Sequence, residues 1–144
     1  MKSVLSDMKA HQTDFSYWVQ KGWMDQATAD FYTKYGGFKV KKAYAYAAVQ
    51  NEVKSLNPLQ YGDLSDILEG ATRGKIHCGI GHGGGKYWTD RIWNGVEYGL
   101  GTEAFAEMTS ATMTSSESLA TIKKYLPKSY GVYEEMLKVI ANQP

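Results

Sequence analysis

The sequence has a single cysteine, three prolines and no long apolar segment. One thiol, Cys78, excludes an intramolecular disulfide framework and a zinc site built on several thiolates, and it fits a reducing compartment. No run approaches the roughly 18 apolar residues of a membrane span. The N-terminus also lacks the apolar stretch of a secretory signal. These absences predict a protein without a visible Sec signal or membrane segment, and therefore a cytoplasmic location.

Net charge is nearly absent as well. The 16 basic and 15 acidic residues give a formal charge of +1, so no global field draws the chain to nucleic acid or to an anionic membrane. Neither is expected as a partner. The chain also contains no Gly-Lys-Ser/Thr phosphate loop and no G-x-S-x-G serine hydrolase elbow, which leaves those enzyme classes without support.

The composition that is present, 43% hydrophobic and 22% charged, is that of a globular protein. Apolar residues recur at helical spacing over most of the 144 residues, which predicts a mainly α single domain (α+β at most) of about six helices. The N-terminal part, residues 1–60, is expected to be helical. Predicted helix starts include Asp25, Asp63, Thr102, Pro127, and either Ser115 or Ser116.

A glycine-rich insert separates two helical blocks. Ten of the 32 residues at positions 70–101 are glycine. Residues 75–78 and 86–88 are candidates for the two strands of a small β-hairpin, although this much glycine is unfavourable for strands. The alternative is a loop without strands.

Two carboxylates, Glu103 and Glu107, lie at i and i+4 and so share one face of the predicted helix. Because like charges at this spacing repel, a cation, an arginine or the helix dipole is expected to compensate them. An exposed acidic first turn, stabilised by the dipole alone, explains the same pattern without a function.

Two histidines, His77 and His82, lie beside Cys78 in the glycine-rich insert, and imidazole nitrogens suit zinc. Residues five apart do not converge on one face of a helix or strand, so a turn between them is needed. Loop histidines that only bond to the backbone are the alternative.

Four short motifs of the C-terminal half occur together, in the order of residues 63–70 (DLSDILEG), 81–83 (GHG) with 87–88 (YW), 102–108 (TEAFAEM) and 123–130 (KKYLPKSY). In this order they resemble the C-terminal part of the zinc metallopeptidase-like domains related to anthrax lethal factor. Similar domains are fused to phage minor head (head morphogenesis) proteins and to bacterial polymorphic toxins. The resemblance covers residues 62–140 and implies a bacterial or prophage origin, with a cytoplasmic or virion-associated location.

The resemblance also implies roles for individual residues. Glu103 would be the third zinc ligand, and Glu107 would orient a ligand or a water molecule through hydrogen bonds. The segment with His82, Tyr87 and Trp88 would lie near the active-site cleft.

One feature of the family is missing: the chain contains no H-E-x-x-H, and the sequence around His11 has no second histidine. Peptide hydrolysis needs three ligands, an open position and a proton-accepting carboxylate. No catalytic residue is therefore assigned, and the chain alone is expected to be inactive. Either a motif helix lay upstream of Met1, or catalysis has been lost, or His77, His82 and Glu103 form a different zinc site.

A hypothesis from another functional class is an alternative to the metallopeptidase-like domain. In it the chain is a non-catalytic, phage head-associated binding or structural module. Its contact surface for a protein or peptide partner would comprise Tyr87, Trp88 and Trp93.

Overall fold

The structure, a computed structural model, describes residues 2–80 and 92–143. Within these ranges it is mainly α, as predicted, with eight helices and one two-stranded hairpin. In chain order the elements are α1 Lys2–Ala10, α2 Phe15–Gln20, α3 Gln26–Tyr35, α4 Lys42–Lys54, α5 Pro58–Thr72, β1 Ile92–Trp93, β2 Val96–Glu97, α6 Gly99–Thr114, α7 Ser116–Tyr125 and α8 Pro127–Ala141. None of the helices in the described ranges is long and apolar enough to cross a membrane.

The chain divides into two compact units, residues 1–52 and 53–144. The first unit is built around Trp18, whose ring meets Phe38 edge-on with the ring centroids 4.8 Å apart. The indole Nε1 donates a hydrogen bond to the carbonyl oxygen of His11 at 2.8 Å, so this large apolar side chain is buried with its polar atom paired. Met8 and Ala45 complete the buried cluster.

Local signals set the helix ends of the first unit. Asp25 caps α3 by accepting a hydrogen bond from the Thr28 amide, and Gly36 ends the helix with φ +68°, where glycine carries no steric penalty. Two helices, α1 and α2, precede Gly22. Asp14 accepts a hydrogen bond from the Tyr17 amide and begins α2 as a separate element.

The second unit is organised around α5, which packs against both α6 and α7. Its residues 64–70 are all buried, and so are apolar residues of the neighbouring segments. This core comprises Val53, Leu64, Ile67, Leu68, Ile76, Cys78, Met108, Ala111, Ile122 and Tyr133.

Two predicted helix starts are wrong. The helix expected to begin at Asp63 begins at Pro58, because Asn57 and Gln60 form a capping box. Asp63 is therefore an interior residue whose side chain is free to face another helix. Thr102 also lies inside its helix, since α6 begins at Gly99, and its hydroxyl donates to the carbonyl oxygen of Tyr98. Of the two predicted caps Ser115 and Ser116, Ser115 caps α7, and Pro127 begins α8 as predicted.

A small hairpin exists, but it does not include residues 75–78. That segment folds back onto the end of α5, where the amide of Ile76 donates to Thr72 Oγ1 at 2.9 Å, and it forms no strand. The hairpin pairs β1 with β2 around Asn94 and Gly95, both with positive φ, as a type I′ turn requires. The other predicted strand, residues 86–88, lies outside the described residues.

Candidate functional site: carboxylates between two helices

Glu103 and Glu107 both lie on α6, and both are half-buried. The carboxylates of Asp63 and Asp66 on α5 and of Glu103 on α6 all interact electrostatically with Glu107. We call these four residues the carboxylate quartet. It lies within the second unit, where α5 and α6 pack against each other.

The quartet changes the acidity of Glu107. Burial is the largest cause, and together with a hydrogen bond to the Asp63 side chain it raises the pKa of Glu107 from 4.5 to about 7. The negative charges of Asp63, Asp66 and Glu103 act in the same direction. Near neutral pH, Glu107 is therefore partly protonated, and its neutral carboxyl donates to Asp63.

Asp63 has a second hydrogen-bond partner on a third helix. The hydroxyl of Ser118, a buried residue of α7, donates to Asp63 Oδ2 at 2.5 Å. Through Asp63, the quartet therefore joins α5, α6 and α7.

A carboxyl that titrates near neutral pH can release and take up a proton under physiological conditions. That is the chemistry this arrangement offers. Among the residues in the described ranges, no group of three or more His, Cys, Asp or Glu side chains is arranged to hold a metal ion. The third-ligand role that the resemblance implies for Glu103 stays a prediction.

His77 lies near a different carboxylate. Its Nδ1 is 3.4 Å from Oε2 of Glu69, a residue of α5 that is 2% exposed. Next to it, the Cys78 thiol is buried, and burial raises its pKa, which disfavours the reactive thiolate. His82 lies outside the described residues, so the predicted set of His77, His82 and Glu103 stays untested.

The aromatic contact surface is described only in part. Trp93 lies on β1 and is 73% exposed, while Tyr87 and Trp88 fall outside the described residues. Ile92 and Val96, also in the hairpin, are exposed too. This apolar hairpin surface consists of Ile92, Trp93 and Val96.

Sequence patterns alone did not assign Asp63, Asp66, Glu69 or Ser118 to a site. A signal for three of them was present, because Asp63, Asp66 and Glu69 are three residues apart and so lie along one side of a helix. Asp63 is also a favourable N-cap residue, so the helix was predicted to begin there and not at Pro58.

No family model, no curated protein and no solved structure matches this chain. The likeness to lethal-factor-related domains therefore rests on the four motifs of residues 62–140.

Proposed function

We propose that this chain is a phage- or prophage-related, metallopeptidase-like domain that does not hydrolyse peptides and acts as a protein-binding module. The four ordered motifs support the family, and the missing H-E-x-x-H supports the loss of catalysis. The observation that carries the binding role is the exposed apolar surface of the hairpin. Its setting would be the cytoplasm or a virion, and its partner a protein or peptide.

The hydrogen bonding within the quartet is compatible with a domain that no longer hydrolyses peptides. In a zinc peptidase, a carboxylate on the helix that corresponds to α6 needs its oxygens for the metal or for the water bound to it. Here the pKa of Glu107 is raised to about 7, and its neutral carboxyl forms a hydrogen bond with Asp63 instead. A hydrogen bond between these two carboxyl groups holds α6 to α5, so we assign the quartet a structural role.

The hairpin has the properties of a contact site. Trp93 and Val96 are cross-strand partners, so their side chains lie on the same face of the ribbon, and both are exposed. Tryptophan is enriched among the residues that contribute most to binding energy at interfaces. A contact between Arg73 Nη2 and Glu97 Oε2 at 3.4 Å connects the ribbon to the end of α5.

This binding role can be tested by substituting the tryptophan. Wild-type protein and a Trp93→Ser variant are used as baits in extracts of the source cells, with and without induction of any resident prophage. Phe31→Ser is the matched control, because Phe31 is also an exposed aromatic residue but lies on α3 of the first unit. Bound proteins are quantified by mass spectrometry.

We expect one defined protein to be retained in stoichiometric amount by the wild type and by Phe31→Ser, and to be lost with Trp93→Ser. An aromatic side chain that anchors an interface costs about 2 kcal/mol or more when removed, which is a loss of about thirtyfold or more in affinity. Equal retention by all three baits, or no defined protein with any of them, would contradict the proposed binding surface.

A further inference from the structure

A cavity of about 390 Å³ lies in the first unit, between the first turns of α1 and α4. Its lining residues are Lys2, Leu5, Lys42, Ala45 and Tyr46. Ala45 is 2% exposed, Leu5 and Tyr46 are half-buried, and Leu5 packs against the hydrophobic cluster around Trp18, so the wall of the cavity is largely apolar. This volume and an apolar wall with few polar groups are typical of a small-molecule site.

The charged groups of this lining are both positive. Lys2 and Lys42 are exposed, and neither side chain has a hydrogen-bond or ion-pair partner among the residues that the structure describes. Each is also the first residue of its helix, where the macrodipole disfavours positive charge. An anion beside the two ammonium groups would offset their repulsion and this unfavourable position.

We propose that the cavity binds a small amphipathic carboxylate. Its negative head lies beside Lys2 and Lys42, whose ammonium groups act as point charges for an anion. Its hydrocarbon chain lies against Leu5, Ala45 and Tyr46 and removes this apolar wall from water. An inorganic anion would leave the wall unfilled, and an uncharged chain would leave the lysines without a counter-ion.

An apolar groove of the second unit provides a contrast. It lies between α6 and α8, and its wall includes Phe105, Val132 and Met136. None of its lining residues in the described part of the chain is charged. A ligand that responds only to apolar surface would therefore bind this groove as readily as the cavity with the lysines.

This proposal is independent of the binding role of the hairpin and of the loss of hydrolysis. The cavity is built from residues 2–46, whereas the features that support the proposed function lie in the second unit. Failure of one proposal therefore leaves the other standing.

The test is a titration of the ¹⁵N-labelled, full-length protein with sodium octanoate, followed by amide chemical shifts. Octanol supplies the chain without the charge, and sodium acetate supplies the charge without the chain. The variants are Lys2→Gln, Lys42→Gln and the double variant. Lys9→Gln is the matched control, because Lys9 is an exposed lysine in the last turn of α1 and does not line the cavity.

We expect saturable shifts with octanoate that centre on the amides of residues 2–5 and 42–46. Because exposed ion pairs contribute modestly, each single variant should bind about threefold more weakly and the double variant about tenfold, with Lys9→Gln unchanged. Octanol and acetate should each bind at least about tenfold more weakly than octanoate, since each lacks one half of the ligand. Both lysines are exposed, and circular dichroism establishes that the variants are folded.

Absence of saturable shifts with octanoate would overturn the proposal. Shifts that centre on the groove between α6 and α8, or octanol binding equal to that of octanoate, would show that only apolar surface is recognised. Acetate binding equal to that of octanoate would show that the lysines attract any anion. An affinity that the double variant leaves unchanged would exclude Lys2 and Lys42 from the site.

Discussion

Glu107 makes the stability of this protein depend on pH. A glutamate in the unfolded chain titrates near 4.5, whereas in the folded protein burial and Asp63 raise the pKa of Glu107 to about 7. Between these two values the folded state binds more protons than the unfolded state. The free energy of unfolding that Glu107 contributes therefore falls as the pH rises through this window, and it levels off above about pH 7.

The variant Glu107→Gln isolates this effect, because its side-chain amide can still donate to Asp63 but does not ionise. From about pH 5 to about pH 8, we expect the wild type to lose about 1 kcal/mol more stability than the variant. The full 1.36 kcal/mol per pKa unit does not apply, since solvent screens this half-buried group. Urea denaturation of both proteins across this range measures the difference. Parallel pH profiles would show that Glu107 has an ordinary pKa.

At the scale of secondary structure, α5 contributes residues both to the carboxylate quartet and to the contact between Glu69 and His77. Its Asp63 and Asp66 lie near Glu107 of α6, and its Glu69 lies near His77. Its N-terminus is fixed by Asn57, whose side chain accepts a hydrogen bond from the Leu59 amide at 2.9 Å, while the Gln60 side chain accepts one from the Asn57 amide at 3.0 Å. The start of this helix is therefore a stability determinant for the whole second unit.

Removal of this cap should be measurable. Asn57→Ala is expected to cost about 1 kcal/mol, because N-cap amide groups bind backbone donors that otherwise lack an intrahelical partner. The control is Asn51→Ala, since Asn51 is an exposed interior residue of α4, where alanine is the better helix former. Thermal unfolding checks both. An equal effect of the two substitutions would mean that α5 does not depend on its capping box.

Local sequence signals predict some helix ends and miss others. Both ends of α3 could be predicted, because Asp25 and Gly36 act on their own backbone neighbours. The start of α5 was missed because Asn57 and Pro58 both end one helical pattern and begin the next. The shared face of Glu103 and Glu107 followed from their spacing. Their carboxylate partners did not, because tertiary packing decides which helix faces α6.

At the scale of the whole molecule, the quartet and the hairpin lie in the second unit, residues 53–144, and the cavity between α1 and α4 lies in the first. The quartet joins α5 to α6 and α7, the Glu69–His77 pair lies at the end of α5, and the hairpin exposes an apolar surface. On this account the unit is a scaffold in which carboxyl groups stabilise helix packing and an exposed ribbon contacts a protein.

The central claim of this account is that the protein does not cleave peptides. Its most direct test incubates the zinc-supplemented protein with a mixed peptide library, with and without a chelator, and detects products by mass spectrometry. A parallel sample uses Glu103→Gln, which removes the carboxylate that the family resemblance would assign to zinc. The account predicts no chelator-sensitive products from either protein. Products that the wild type makes, and that disappear both with the chelator and with Glu103→Gln, would contradict it and identify an active zinc peptidase.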